Sequence, residues 1–228
     1  MWSATVLSLF PEMFPGTLGL SIAGKALKND IWSLKMINIR DFSNDKNGKV
    51  DDVPFGGGHG MVIKPDVIDK ALNSVIDAKG PRIYLSPRGE KFDQRYAKSL
   101  SEEKGAVFIC GRYEGVDERF LDDNDIIELS VGDYVLSGGE LGVQIVLDAT
   151  IRLLPNVIGN PEGLIEESFE KNLLEYPLYT QPRVWKNRKV PEVLLSGDHQ
   201  KIKEWKIKKA EEITKLKRPD LWSKYIKS

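Results

Sequence analysis

Short apolar runs alternate with helix-like segments between residues 82 and 154, and this alternation constrains the fold more than any other feature of the chain. The predicted elements are, in order, a strand at 82–86, a helix near 93–103, a strand at 106–110, a short helix near 116–122, a strand at 126–129 and an apolar helix at 140–154. Short apolar strands separated by helices are typical of a parallel sheet that helices cover. The sequence therefore predicts an α/β fold with a parallel sheet.

The residues before this region add elements of the same kind. They are a strand at 3–10, a helix at 18–29, a strand at 34–39 and a helix at 65–78 that Pro65 opens. The stretch 40–60 is rich in Asp, Asn and Gly and shows no periodicity, which predicts a long loop. Loops of that length in compact domains are usually functional or mobile.

Each of the three later strands is followed by a loop of unusual composition. The loops are Ser-Pro-Arg-Gly at 86–89, Gly-Arg-Tyr-Glu-Gly at 111–115 and the run at 131–140 that contains Gly138 and Gly139. In open α/β sheets ligands bind beyond the carboxyl ends of the strands, so we expect these loops to wall one pocket. The paired glycines would let backbone groups approach a planar base, with Tyr113 and Leu136 as apolar walls. The residues alone indicate a nucleotide-like ligand.

Two other glycine-rich runs point to weaker alternatives. The run at 19–26 resembles a phosphate-binding loop, but Ala26 stands where that motif needs a Ser or Thr hydroxyl for magnesium, which disfavours an NTPase. The run Gly-Gly-Gly-His-Gly at 56–60 lacks the Gly-x-Gly-x-x-Gly spacing of dinucleotide-binding loops. Its backbone freedom suits either a flexible clamp near a ligand or a plain structural turn.

The few histidines and the single cysteine narrow the chemistry. His59, His199 and Cys110 cannot form a Cys/His zinc site, and neither histidine lies in the three loops, which disfavours a Ser-His-Asp triad. Carboxylates and arginines lie near the predicted pocket instead: Glu114, Asp117, Glu118, Asp133, Glu140, Arg152, Glu166 and Glu167. The residues alone do not single out one of them as catalytic.

Charge is unevenly spread along the chain. Residues 183–228 hold 14 Lys and Arg against 6 Asp and Glu, whereas residues 1–182 hold 19 against 28. The basic tail, predicted to be helical from about 190 with Trp205 and Trp222 as core anchors, indicates either contact with a polyanion or a solvated helix face. One cysteine rules out an internal disulfide, and no signal-like start or membrane-length apolar run occurs, so we expect a soluble cytoplasmic protein.

Several motifs, in order along nearly the whole chain, resemble the bacterial tRNA (guanine-N1)-methyltransferases of the SPOUT superfamily. They are Leu-Phe-Pro-Glu-Met-Phe at 9–14, Val-Asp-Asp at 50–52, Phe-Gly-Gly-Gly at 55–58, Tyr-Leu-Ser-Pro at 84–87, Cys-Gly-Arg-Tyr-Glu-Gly-Val-Asp-Glu-Arg at 110–119, Ser-Val-Gly-Asp-Tyr-Val-Leu-Ser-Gly-Gly-Glu-Leu at 130–141, Tyr-Thr-Gln-Pro at 179–182, Val-Pro-Glu-Val-Leu-Leu-Ser-Gly at 190–197 and Arg-Pro-Asp-Leu at 218–221. The blocks at 110–119 and 130–141 are the most specific.

The resemblance implies an architecture that periodicity could not give. It predicts a SPOUT domain at 1–158 whose C-terminal part is threaded as a trefoil knot, a linker at 159–180 and a helical tRNA-binding domain at 181–228. It also implies a homodimer with the active site at the subunit interface. The activity implied is methylation, by S-adenosylmethionine, of N1 of the guanosine next to the anticodon on its 3′ side, tRNA position 37, which supports reading-frame maintenance.

Carried over motif by motif, the resemblance also implies the residues that bind the cofactor. They are Tyr84, Leu85, Ser86, Pro87, Gly111, Tyr113, Glu114, Val131, Gly132, Asp133, Tyr134, Val135, Leu136, Gly138 and Gly139. No fixed metal site is predicted, since the carboxylates show no ligand spacing, and a need for Mg²⁺ during catalysis is left open.

The resemblance implies two catalytic residues, Arg152 and a carboxylate in the linker. The family's aspartate base falls on Glu167 here, which keeps the carboxylate but adds a methylene, and Glu166 is the fallback. Milder departures are His59 where Pro is expected, Phe55 where Tyr is common and Asp198 where Asn is common. Two alternatives stay open: a SPOUT methyltransferase for another RNA position, and a catalytically silent tRNA-binding protein.

Overall fold

A computed structural model describes residues 1–159, 163 and 166–227. These residues form two compact units, Met1–Gly159 and Asn160–Ser228. The elements of the first unit are β1 (Trp2–Ser8), α1 (Ser21–Lys28), β2 (Trp32–Asn38), β3 (Asp51–Asp52), β4 (Val62–Ile63), α2 (Pro65–Asn73), β5 (Arg82–Lys91), α3 (Gln94–Glu102), β6 (Gly105–Ile109), α4 (Glu118–Asp123), β7 (Ile126–Ser130) and α5 (Gly139–Ile151).

The centre of the first unit is a five-stranded sheet in the order β2-β1-β6-β5-β7. Every neighbouring pair in it is parallel. This confirms the predicted α/β fold with a parallel sheet. The short strands β3 and β4 form a separate antiparallel pair.

Both faces of the sheet are buried, as the unbroken apolar runs predict. On β6, Ala106 and Phe108 join one core cluster and Val107 and Ile109 join the other. Residues of α5, such as Val146, complete the first cluster, and residues of α2 complete the second. The middle strands therefore lie between two helical layers.

Several element boundaries differ from the sequence predictions. Residues Gly16–Gly19 form a 3-10 turn, so α1 begins at Ser21 rather than at 18, and α2 ends at Asn73 rather than at 78. The stretch 40–60, predicted to be a loop, contains the end of a 3-10 turn at Ile39–Phe42 and the strand β3. These are short or local elements that hydrophobic periodicity does not register.

The largest correction concerns β5, which was predicted to end at residue 86 and continues to Lys91. Leu85 and Glu90 both pair with Leu129 of β7, so residues 86–89 are extruded from the ladder as a bulge. The extruded residues are those of the predicted Ser-Pro-Arg-Gly loop. The strand therefore carries the loop within it rather than ending at it.

The second unit contains a hairpin, β8 (Val184–Trp185) with β9 (Arg188–Lys189), and the helices α6 (His199–Lys217) and α7 (Pro219–Tyr225). Among its described residues, Ala210, Thr214 and Leu221 are buried. Trp205 and Trp222 were predicted to anchor a core, but neither is fully buried, since both side chains are only partly covered.

Residues of the predicted linker also pack within the second unit. The amide of Leu174 donates to Thr214 Oγ1 of α6 at 2.8 Å. The trefoil knot and the extent of the C-terminal domain remain predictions. Across the described parts of the chain, the longest and most apolar helices fall short of what is needed to cross a bilayer.

Candidate functional site

A cavity of about 300 Å³ opens beside the bulge within β5 and the carboxyl ends of β6 and β7. Its lining includes residues from each of the three loops that the sequence singled out at 86–89, 111–115 and 131–140, namely 86–87, 111–115, 131–132 and 134–139. The prediction that these loops wall one pocket is confirmed. The volume lies at the lower end of the range for small-molecule sites, about 300–1,000 Å³.

The predicted cofactor residues lie together around this cavity, with one exception. The lining includes Tyr84, Leu85, Ser86, Pro87, Gly111, Tyr113, Glu114, Val131, Gly132, Tyr134, Val135, Leu136, Gly138 and Gly139. Asp133 is absent from the lining, and its exposed carboxylate lies 3.3 Å from the ammonium of Lys91. Side chains in one loop point in different directions, so the position of Asp133 within the motif did not decide whether its side chain faces the cavity.

The cavity also has lining residues that were not among the predicted cofactor residues. They are Arg112, Gly115, Leu129, Ser130, Ser137 and Gly142. Leu129 and Ser130 could have been predicted to line the cavity, because Leu129 is the last residue of the predicted strand and Ser130 follows it directly. Gly142 lies one turn into α5, where the sequence alone offers only a helix position.

The first wall is the bulge at 86–89. Arg88 holds it from outside, with guanidinium nitrogens 3.0 Å from a carboxylate oxygen of Glu118 and 3.2 Å from one of Glu128. Gly89 packs against the backbone of β7, where an added Cβ would lie 2.3 Å from the carbonyl carbon of Glu128. The bulge therefore requires a glycine here, and its inner residues Ser86 and Pro87 face the cavity.

The second and third walls meet through their backbones. The amide of Gly139 donates to the carbonyl of Gly111 at 2.9 Å. A Cβ on Gly139 would lie 2.9 Å from Cys110 Cα, and a Cβ on Gly111 would lie 2.7 Å from the hydroxyl of Tyr84. Burial raises the pKa of that tyrosine. The glycines bring three chain segments closer together than residues with side chains would allow.

A buried carboxylate fixes the third wall. Glu140, fully buried at the start of α5, accepts a 2.7 Å hydrogen bond from Ser8 Oγ and lies 2.9 Å from Arg112 Nε. Arg112 Nη1 donates to the carbonyl of Ser137 at 3.2 Å, and its guanidinium stacks 4.4 Å above the ring of Phe10. One ion pair thus joins β1, the 111–115 loop and the 131–139 loop.

The predicted catalytic residues lie outside this lining. Arg152, directly after α5, lines a second cavity of about 170 Å³ in the first unit. Leu20, Ile22 and Asp148 are among the other residues of that second cavity. Glu167 belongs to the second unit and is partly buried.

Glu166, the fallback base, is held by two donors within the second unit. Its Oε2 accepts hydrogen bonds from Lys206 Nζ at 2.8 Å and from the hydroxyl of Tyr176 at 2.7 Å. These bonds, that of Lys206 first, hold the pKa of the Glu166 carboxyl below its ordinary value. A carboxylate with a lowered pKa and both donors in place is a poor proton acceptor.

The described residues contain no cluster of three or more His, Cys, Asp or Glu side chains arranged to hold a metal ion. The cavity itself is lined by glycine-rich backbone, a few polar groups and apolar side chains. Together with the parallel sheet, this arrangement defines an α/β protein with a candidate site for a small ligand beside its strands.

Comparison with known sequences gives the family. The sequence profile of the tRNA (guanine-1)-methyltransferase TrmD family matches residues 2–224. The chain belongs to this family, which confirms the resemblance seen in its motifs.

Curated relatives agree along the full length. A protein of Rhodospirillum rubrum is 54% identical over 223 residues, covering 98% of this chain and 93% of the relative. One of Pelagibacter ubique is 53% identical over 229 residues and covers 100% of both chains. One of Brucella ovis is 49% identical over 225 residues, covering 99% and 93%. All three carry the name tRNA (guanine-N(1)-)-methyltransferase.

Proposed function

We propose that this chain transfers a methyl group from S-adenosylmethionine to N1 of the guanosine that follows the anticodon on its 3′ side, tRNA position 37. The observation that carries the proposal is the glycine-built cavity, formed by the most specific motifs of a family whose relatives are named for this reaction. Its test is methyl transfer to tRNA transcripts that differ only in that nucleotide.

The residues around the cavity fit S-adenosylmethionine. Gly111, Gly138 and Gly139 line the cavity, and an added Cβ at each would meet neighbouring protein atoms, so glycine is what lets these loops close around a planar adenine. Apolar side chains such as Leu85 and Leu136 supply the low-polarity walls. When bound, S-adenosylmethionine supplies an electrophilic methyl group to the reaction.

Glu167 is proposed as the general base. N1 of guanine carries a proton at neutral pH and is a weak nucleophile until that proton is removed, a step typically worth about 10²–10⁴ in rate. The family motif places the base at Glu167, and Glu166, whose carboxylate binds Lys206 and Tyr176, is the fallback. The Glu167 carboxylate would take the N1 proton as the new bond to carbon forms.

Arg152 is proposed to stabilise the charge that this step creates. Removing the N1 proton places negative charge on O6 of the guanine, and a guanidinium beside that oxygen stabilises it electrostatically. The second cavity, which Arg152 lines together with Leu20 and Ile22, offers a partly apolar place for a base.

The proposal includes a homodimer with the active site at the subunit interface. α5 carries apolar residues on its exposed side as well as on its buried side: Val143, Val146 and Leu147 are fully buried, yet Leu141 and Ile145 remain 48% and 45% exposed. A helix that is apolar all round is normally covered. A second copy of this chain would cover these side chains.

The same face of α5 leads to the proposed catalytic arginine. Leu141, Ile145, Asp148 and Arg152 follow one another at helical spacing along one side of the helix. A partner that covers Leu141 and Ile145 would therefore also lie beside Arg152.

The proposal also includes the trefoil knot of the SPOUT fold, a cytoplasmic location and binding of tRNA by residues 181–228.

The excess of basic residues at 183–228 supports the proposed binding of tRNA, because Lys and Arg side chains that contact RNA phosphates provide an affinity that falls as the salt concentration rises. Mg²⁺ is not assigned to any residue of the proposed machinery. Initial rates in EDTA and with Mg²⁺ restored measure whether the reaction, or the folding of the tRNA, uses the ion.

A further inference from the structure

A small hairpin in the second unit presents an aromatic ring among positive charges. It comprises residues 183–189, in which β8 and β9 are joined by the two-residue turn Lys186-Asn187, both with positive φ. Positive φ at both central residues is the turn geometry that matches the twist of paired strands. Val190 donates its amide to the carbonyl of Arg183 at 3.0 Å and closes the base.

Among the residues that the structure describes, none of those in the hairpin is buried. Every residue from 181 to 189 is exposed, and Trp185 keeps 58% of its surface accessible. An isolated two-stranded hairpin is marginally stable in water at best, and an exposed tryptophan adds nothing to folding. The ring therefore suits contact with a partner better than it suits stability.

The charges around the ring are all of one sign. Arg183, Lys186, Arg188 and Lys189 lie in the hairpin, and no acidic residue does. The ammonium of Lys186 lies 4.8 Å from the centre of the Trp185 ring, and Arg188 pairs with Trp185 across the ladder. We call Trp185, Lys186 and Arg188 the Trp185 surface.

We propose that the Trp185 surface binds unpaired nucleotides of the RNA substrate, with a base stacked on Trp185 and phosphates on the neighbouring cations. Aromatic rings set among Arg and Lys bind single-stranded nucleic acid in this way, because every base has a face to stack. This inference rests on the proposed function, which supplies an RNA with single-stranded loops. A duplex hides its base faces and could meet only the cations.

The test is binding of two labelled RNAs to the full chain, measured by fluorescence anisotropy. One is a stem-loop with an unpaired loop, and the other is a fully paired duplex with the same number of phosphates. Trp185→Ala is expected to weaken binding of the stem-loop about tenfold and of the duplex by less than about twofold. Trp185→Phe should stay within about threefold of the unchanged protein, since the smaller ring still stacks.

Two further variants distinguish the contribution of the cations to RNA binding from that of the Trp185 ring. Arg188→Gln should weaken both RNAs and lower the slope of log affinity against log salt by about one, whereas Trp185→Ala should leave that slope unchanged. Val184→Ala removes an exposed apolar side chain from the opposite side of the hairpin and should change neither affinity. Circular dichroism checks that each variant keeps its helices.

Three outcomes overturn the inference: Trp185→Ala binds the stem-loop as tightly as the unchanged protein does, it weakens stem-loop and duplex equally, or it loses binding to anionic vesicles while binding both RNAs normally. Failure of the proposed function looks different. In that case the unchanged protein transfers no methyl group to tRNA, whatever the hairpin variants bind.

Discussion

The ammonium of Lys206 lies 2.8 Å from the carboxylate of Glu166, one residue before the proposed base Glu167. The hydroxyl of Tyr176 bonds the same carboxylate oxygen at 2.7 Å. Of two adjacent glutamates in one segment, the first therefore has its charge satisfied within the second unit. The proposed assignment of the base to Glu167 rather than to Glu166 can be tested on each residue separately.

Glu167→Gln is expected to lower single-turnover methyl transfer by about 10²–10⁴, because the amide cannot accept the N1 proton. Glu166→Gln is the matched control, with the same chemical change one residue away and an expected loss of less than about tenfold. The rates are read with both substrates saturating. A large loss only in Glu166→Gln would assign the proton to Glu166, and equal losses in the two variants would contradict the assignment to Glu167.

The ion pair of Glu166 also predicts a pH dependence of stability. Its carboxyl has a lowered pKa in the folded chain, so its stabilisation is present above the unfolded value, about 4.3, and is lost as the pH falls through the folded value. The difference in unfolding free energy between the unchanged protein and Glu166→Gln should therefore shrink as the pH falls below about 4. A difference that stays constant from pH 6 to pH 3 contradicts it.

Gly139→Ala should damage cofactor binding. The added Cβ would lie 2.9 Å from Cys110 Cα and 3.1 Å from the amide nitrogen of Gly111, and backbone cannot give way cheaply. We expect affinity for S-adenosylmethionine, measured by calorimetry, to fall at least about tenfold, with a cost in stability of about 1–3 kcal/mol. Gly159→Ala is the control, since nothing lies within 4 Å of its added Cβ. Normal affinity in Gly139→Ala would show that the cofactor binds elsewhere.

Glu140→Ala should destabilise the first unit by about 3 kcal/mol, because it leaves the mostly buried guanidinium of Arg112 without its carboxylate. Glu118→Ala removes a comparable ion-pair partner from Arg88 on the surface and should cost less than about 1 kcal/mol. Urea unfolding of both variants measures the difference. If the two losses are alike, the buried pair does not hold the loops as described.

Leu141→Glu tests the proposed subunit interface. A charge on this exposed face of α5 should convert the proposed dimer to monomers in sedimentation velocity and reduce methyl transfer at least about tenfold, because the proposed active site lies between two copies. Ile76→Glu, at another exposed apolar position, should leave the sedimentation coefficient unchanged. A Leu141→Glu protein that stays dimeric would place the interface on another surface.

The parallel sheet could be predicted because its physical cause is local in sequence. Strands buried on both faces must be apolar at every position, and β6 shows this, with alternate residues entering opposite clusters. The loops after such strands then meet at one edge, which is why the pocket could be expected before its shape was known.

The bulge at 86–89 could not be predicted, because it depends on the pairing of Leu85 and Glu90 with the same residue of β7. The contacts of Asp133 and Glu166 depend likewise on distant partners, Lys91 and Lys206. Periodicity reports which residues are buried in one element, and it carries no information on which distant side chain completes a pair. The assignment of single carboxylates therefore rests on the structure and the family.

The most direct test of the central claim is methyl transfer by the purified protein to two tRNA transcripts that carry G or A just 3′ of the anticodon. Labelled S-adenosylmethionine reports incorporation, and nuclease digestion with mass spectrometry locates the methylated base. We predict 1-methylguanosine at that position in the G transcript and no incorporation into the A transcript. Equal incorporation into both transcripts, or a methyl group mapped to another nucleotide, would contradict the proposed function.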